Sequence, residues 1–275
     1  MGHGKLRKFA ENETFRCLLQ PDASEVLAKP QGSRALVLRD HAVKGHWNRD
    51  MFAAEQPIVL ELGCGKGDYT IALALRHPEM NFIGVDIKGA RLWKGAKFAT
   101  ERALPNVAFL RTRIEFISAF FAPDEVSEVW LTFSDPQMGS ENARLTSPLF
   151  LARYRDFMVK GGIVHLKTDS RFLHEYTRAV VRANGLDVLA CGTDIYHEGF
   201  QKPAGENPGW DVDAVLEVQT FYESMFLEMG LPITYLAFRI DHEGSFAYPA
   251  YFDAAFWRAQ EGPRRTFSHQ RAPKG

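Results

Sequence analysis

Residues 57–69 read PIVLELGCGKGDY, and one helix length later residues 81–86 read NFIGVD. Ile58, Val59, Leu60 and Leu62 form a short apolar run with β-branched members, bounded by Pro57 and a glycine cluster, which predicts a buried parallel strand. Gly63, Gly65 and Gly67 allow positive φ and a close backbone approach to a ligand. Asp68 falls where the N-cap of a helix over residues 69–76 is expected. Asp86 ends the next strand, at about the distance downstream at which an acid reaches a ribose hydroxyl pair in doubly wound folds. Strand, glycine turn and helix together predict a nucleotide-binding unit.

Around this unit the pattern keeps alternating. A helix is expected over residues 88–104, a strand over 107–110, a short helix over 114–121 and a strand over 126–133. Ser147-Pro148 opens a helix running to about Val159, ended by Gly161-Gly162, with a strand over 163–166 behind it. Thr168-Asp169-Ser170 caps a helix that stops at Asn184-Gly185, and a sixth strand covers 186–190. Residues 192–214 read as a long loop, 214–229 as one helix and 233–240 as a seventh strand. The expected fold is α/β: a doubly wound, seven-stranded, Rossmann-like sheet with helices on both faces. Residues 1–50 read as an irregular extension able to contact RNA, 51–243 as the domain and 244–275 as a poorly ordered tail.

The chain has 275 residues, 45% of them hydrophobic, enough for one sizeable core. No segment is long and apolar enough to span a membrane, and the N-terminus MGHGKLRKFAENETF lacks a signal-peptide h-region, so a cytoplasmic protein is expected. Cys17, Cys64 and Cys191 are odd in number and lack C-x-x-C spacing, which indicates neither a disulfide framework nor a metal site. Net charge is −1, but residues 88–113 carry seven Lys or Arg against Glu101, and residues 194–243 carry ten acids against Lys202 and Arg239. The basic stripe fits either nucleic-acid phosphates or a solvated helix face.

Ligands of doubly wound sheets gather at the carboxyl ends of the strands. There the sequence places Glu61 and Gly63, Asp86, the stretch 111–113, Ser134-Asp135 and the stretch 167–169. A dinucleotide site would use G-x-G-x-x-G to seat a pyrophosphate, but the glycines here are two apart and Asp68 would repel phosphate. ELGCGKGD instead resembles motif I of class I S-adenosylmethionine methyltransferases, whose ligand carries an ammonium and a sulfonium.

Further pieces narrow the resemblance: FSDPQ at 133–137, RLTSPLFLARYRDFMVKGGIVHLKTD at 144–169 and TFYESMF at 220–226. With the opening unit they resemble, in order over about residues 57–240, the bacterial tRNA (guanine-N7)-methyltransferases. The resemblance implies S-adenosyl-L-methionine as donor and a variable-loop guanosine of tRNA as acceptor. It also implies that Glu61, Gly63, Gly65, Asp86 and Asp135 hold the cofactor, and that Asp169, Thr220 and Glu223 face the substrate, Thr220 and Glu223 sharing one helix face.

Two departures stand out. After the SDP element many members carry Trp and a run of Lys, Arg and His, whereas here only Arg144 remains as a phosphate contact. Arg113 stands where the family has an acid, so adenine contact passes to Glu115 or the backbone at Ile114. Guanine N7 has a free lone pair, so no base is needed, and Asp135 is the candidate catalytic group through electrostatic stabilisation of the cationic ring. The basic stripe and the N-terminal KLRK are candidate tRNA-backbone contacts. Two alternatives stay open: a methyltransferase of another substrate, and a tRNA-binding relative without catalysis. The sequence also leaves monomer and homodimer open.

Overall fold

All five residues of the first expected strand, Ile58–Leu62, are buried, because each face of this strand packs against helices. The computed structural model describes residues 3–29, 37–201 and 213–261. In chain order these form α1 (His3–Asn12), β1 (Leu18–Leu19), α2 (Ala23–Val26), β2 (Leu27–Ala28), β3 (Val37–Leu38), α3 (Trp47–Met51), β4 (Ile58–Leu62), α4 (Asp68–Arg76), β5 (Asn81–Asp86), α5 (Gly89–Glu101) and β6 (Val107–Arg111). They continue with β7 (Val126–Thr132), α6 (Pro148–Arg155), β8 (Met158–Thr168), α7 (Arg171–Ala183), β9 (Val188–Asp194), β10 (Gly199–Gln201), α8 (Ala214–Glu217), α9 (Phe221–Glu228), β11 (Thr234–Arg239) and α10 (Ala254–Glu261).

The main sheet runs β1-β6-β5-β4-β7-β8-β11-β9-β10. Its centre, β6 to β8, is parallel, and β11 lies antiparallel between β8 and β9. Ile58, Leu60 and Leu62 join a cluster with Leu151 and Tyr154 of α6 and Tyr176 and Val180 of α7. Val59 points the other way, to Tyr69 and Leu73 of α4 and Leu92 and Ala96 of α5. The chain leaves β4 toward β5 and β6, then returns to β7 and β8 on the other side. A crevice therefore opens at the carboxyl ends of β4 and β7.

Several sequence expectations need correction. The amino-terminal region is structured: α1 packs on α5, with Asn12 Nδ2 donating to Gly89 O at 2.9 Å and Trp93 Nε1 to Glu11 at 2.7 Å. β1 adds a parallel edge strand to β6. The core also ignores the expected boundaries at residues 50 and 244, since Trp47 and Phe246 lie in the same cluster as Leu60. Residues 244–261 are no loose tail, for α10 docks on α7; residues 262–275 lie outside the described residues, as does the 202–212 part of the expected loop. Gly161-Gly162 interrupts no helix but sits inside the 11-residue β8. The single helix expected over 214–229 is two, α8 and α9. Among the described residues no helix is long and apolar enough to cross a membrane.

Candidate active site

Gly63, Gly65 and Gly67 all have positive φ, at 83°, 59° and 75°, but they serve two ends. A Cβ on Gly63 or Gly65 would meet no atom within 4 Å, so this part of the turn faces open space. A Cβ on Gly67 would lie 2.5 Å from the Phe109 ring, as would one on Gly95, so these two glycines let α4 and α5 close over the sheet. The turn is pinned to β5: Gly63 N and Cys64 N donate to Val85 O at 2.8 and 3.0 Å. Gly65 N donates to Asp86 Oδ2 at 3.1 Å, and Asp86 Oδ1 accepts from Lys88 N at 2.7 Å. Gly67, not Asp68, is the N-cap of α4; Asp68 starts the helix and pairs with Lys94 at 2.8 Å.

Glu61 lies under this turn, buried at 4% exposure. Its Oε2 accepts from Thr70 N at 2.8 Å and from Thr70 Oγ1, and its Oε1 accepts from Thr132 Oγ1. Burial pushes its pKa up to about 7 against the lowering effect of these donors. A buried carboxyl so poised gains its charge readily when a cation arrives. Glu61, Asp86 and the open face at Gly63 and Gly65 thus suit a cationic ligand with a ribose.

At the end of β7 the backbone turns through two non-glycine residues with positive φ, Phe133 at 52° and Gln137 at 45°. Between them stands Asp135, exposed, its Oδ1 accepting from Gln137 N at 2.9 Å. Arg144 is not the exposed phosphate contact expected of it. It is 3% exposed, its Nε donates to Pro136 O at 3.3 Å, and its guanidinium lies 4.8 and 4.3 Å from the ring centres of Phe172 and Tyr176. It braces the Asp135 loop from below. Arg113 is exposed beside Glu115 at 3.0 Å and precedes a 3-10 turn that begins at Ile114.

Glu223 also departs from expectation. Thr220 and Glu223 do not merely share a helix face: Thr220 is the N-cap of α9 and Glu223 its N3 residue, in a reciprocal capping box. The Glu223 carboxylate is fully buried, 2.6 Å from the equally buried Lys167 Nζ and 2.7 Å from the donating Tyr196 hydroxyl. Lys167 spends its remaining donors on Val215 O and Val218 O, at the joint between α8 and α9. Burial lowers the Lys167 pKa, while Glu223 opposes that shift. Glu223 is thus engaged within the framework by the ion pair and the capping box. Asp169, two residues past Lys167, lines a cavity of about 310 Å³ with Arg171, Pro232, Thr234, Phe256, Trp257 and Gln260.

Sequence reasoning put Lys167 among the strand-end residues without its buried pairing to Glu223, and missed Tyr196 and all of α10. T-x-x-E before an apolar run is a capping-box signal that would have placed the break before Phe221.

The open, mostly parallel sheet with antiparallel β11 and this cleft at its switch point has a class I methyltransferase fold. A solved 16S rRNA methyltransferase, KamB, shares it at TM-score 0.52 and 14% identity, over 76% of this chain and 97% of that one. A family model described as "Putative methyltransferase" matches residues 55–207. The tRNA (guanine-N(7)-)-methyltransferase of Bacteroides fragilis is 44% identical over 90% of each chain, and that of Christiangramia forsetii is 46% identical over 86% of this chain and 97% of its own. The Porphyromonas gingivalis enzyme of the same name is 48% identical over 71% of this chain. The chain belongs to the tRNA (guanine-N7)-methyltransferase family.

Proposed function

We propose that this protein transfers a methyl group from S-adenosylmethionine to N7 of a variable-loop guanosine of tRNA, working in the cytoplasm. The observation that carries the reading is the switch-point cleft, with Gly63 and Gly65 facing open space between Glu61 and Asp86, in a chain 44% identical over 90% of its length to an enzyme of that name. When bound, the donor supplies an electrophilic sulfonium methyl. Glu61 would compensate its cationic end, Asp86 would accept from its ribose hydroxyls, and the backbone at Ile114, beside Arg113, would border its adenine. Guanine N7 already offers a lone pair, so the chain's task is alignment and stabilisation of positive charge on the base. Asp135 supplies the negative charge that stabilises it. With Glu223 committed to Lys167, Asp169 is the carboxylate we assign to accept from guanine N1–H and N2–H. Incubation with labelled donor and unmodified tRNA, followed by nucleoside analysis, should yield 7-methylguanosine; methylation confined to another atom rejects the proposal.

The raised pKa of Glu61 gives a pH prediction. Its folded pKa, about 7, exceeds the ordinary 4.5, so the free protein holds a proton that the unfolded chain has lost. That contribution to stability is complete below about 4.5 and lost as pH rises through about 7. A cationic ligand beside Glu61 favours the carboxylate, so S-adenosylmethionine affinity should rise between pH 5.5 and 7.5 with proton release. Calorimetry in two buffers of different ionisation enthalpy measures this; zero net proton release at pH 6.5 would separate Glu61 from the ligand.

The structure also changes the expectation for the basic stripe. Lys94 is paired with Asp68, and Lys97 lies 3.8 and 3.6 Å from Glu11 and Glu101. Both charges are compensated within the fold, so Lys94→Gln with Lys97→Gln should leave the salt dependence of tRNA binding unchanged. A slope reduced by about one unit or more would put these lysines on phosphates.

A further inference from the structure

Helix α10 borders the cavity beyond the carboxyl end of β8 that Asp169 also lines. Glu261, at its end, is 3% exposed and caps α7, its Oε1 accepting from Ser170 Oγ and Phe172 N, each at 2.6 Å. Arg258 donates twice to Met138 O in the loop that carries Asp135, at 3.1 and 2.6 Å. Upstream, the Tyr248 hydroxyl donates to Asn142 Oδ1 at 2.6 Å. The helix is thus tied both to the loop after β7 and to the turn after β8.

Between these ties it presents two aromatic rings to the cavity that Asp169 lines. Phe256 and Trp257 have ring centres 5.0 Å apart and planes at 81°. Phe256 is 50% exposed and Trp257 partly buried, so both rings are open to a ligand in this cavity. Arg171 lies 5.8 Å from the Trp257 ring. A base stacked on one ring of such a corner meets the other edge-on, which is favourable for both contacts. With a carboxylate on the same wall, the cavity matches a flat heteroaromatic that has N–H donors along one edge.

We propose that the Phe256–Trp257 corner of α10 is the platform on which the acceptor guanine stacks, and that it favours the base once methylated. This rests on the acceptor assignment above and extends it. Methylation at N7 leaves a positive charge on the purine ring, and an electron-rich aromatic face attracts a cation more than a neutral ring. The corner therefore contributes more in the transition state than in the ground state, and its loss lowers kcat as well as raising KM. An extruded nucleotide held by an aromatic face and edge hydrogen bonds is also a common solution for enzymes that modify bases.

The test compares wild type, Phe256→Ala, Trp257→Ala and Trp257→Phe with the same tRNA transcript. Binding of S-adenosylmethionine and thermal midpoint are measured on each protein. Trp257→Ala and Phe256→Ala should lose at least about tenfold in kcat/KM for tRNA, with kcat contributing, while donor affinity stays within twofold. Trp257→Phe should recover most of the loss. Competition by free nucleosides should show wild type preferring 7-methylguanosine to guanosine, a preference that both alanine variants reduce. If Trp257→Ala unfolds, the exposed Phe256 and the conservative Trp257→Phe carry the test. Alanine variants with wild-type kcat/KM, beside a wild type that makes 7-methylguanosine, would overturn this inference alone. A wild type that makes none would overturn the acceptor assignment and the inference with it.

Discussion

Lys167→Ala should destabilise the fold by about 3–5 kcal/mol, the usual cost of stranding one partner of a buried ion pair. Both side chains of the Lys167–Glu223 pair are fully inaccessible. Removing the ammonium leaves the Glu223 carboxylate with the Tyr196 hydroxyl and the Thr220 amide but no counter-charge. It also orphans the carbonyls of Val215 and Val218, which join α8 to α9. The double variant Lys167→Met with Glu223→Gln buries no charge and should recover much of the loss, because a neutral pair of similar volume escapes the desolvation penalty. Urea denaturation of the wild type and the two variants reads both effects as shifts in midpoint at constant slope. A single-variant loss below about 1 kcal/mol would mean that water reaches Glu223 when Lys167 is gone, and that the pair is not the joint we describe.

This pair also marks where the sequence stopped being legible. The strands β4 to β7 and the glycine turn could be read because their signals are local: apolar runs bounded by turns, with polar residues at the carboxyl ends. What depends on partners far along the chain was not readable. Gly161-Gly162 looks like a helix stop, yet in β8 it absorbs a register shift against β7, where Val126 faces Met158 but Glu128 faces Ile163. The apolar run of β11 gives no sign of its direction, and only its insertion between β8 and β9 makes it antiparallel. The resemblance put Glu223 toward the substrate and Arg144 on a phosphate. Their burial is set by Lys167 in one case and by Phe172 and Tyr176 in the other, 56 and about 30 residues away. Residues 244–261 looked like a tail because their anchors, Phe246, Phe252 and Glu261, are too sparse to show a period. Asp86 ends β5, Asp135 follows β7 and Asp169 follows β8, positions legible because strand-end signals are local.

Asp135→Asn should lower kcat by one to two orders of magnitude, about 1.4–2.8 kcal/mol of transition-state stabilisation, with tRNA affinity changed far less. The substitution is chosen because it removes charge and little else. An asparagine Oδ1 can still accept from Gln137 N, so the tight turn at 135–137 persists. The positive φ of Phe133 and Gln137 is imposed from outside the loop, by Phe133 N on Lys167 O, Arg144 on Pro136 O and Arg258 on Met138 O. Residues held in such sparsely populated backbone regions persist only where their surroundings over-determine them. The loop is therefore braced from outside, and the role we propose for Asp135 needs such bracing, since a carboxylate held in advance stabilises a cationic guanine without reorganisation. Arg144→Ala provides the contrast: it leaves Asp135 in place but removes the support beneath it, and should raise KM for tRNA as well as lower kcat. Single-turnover rates at saturating donor and tRNA separate the two cases. An Asp135→Asn protein with wild-type single-turnover rate would take Asp135 out of the chemistry, leaving alignment by Asp169 and the aromatic corner as the source of the rate.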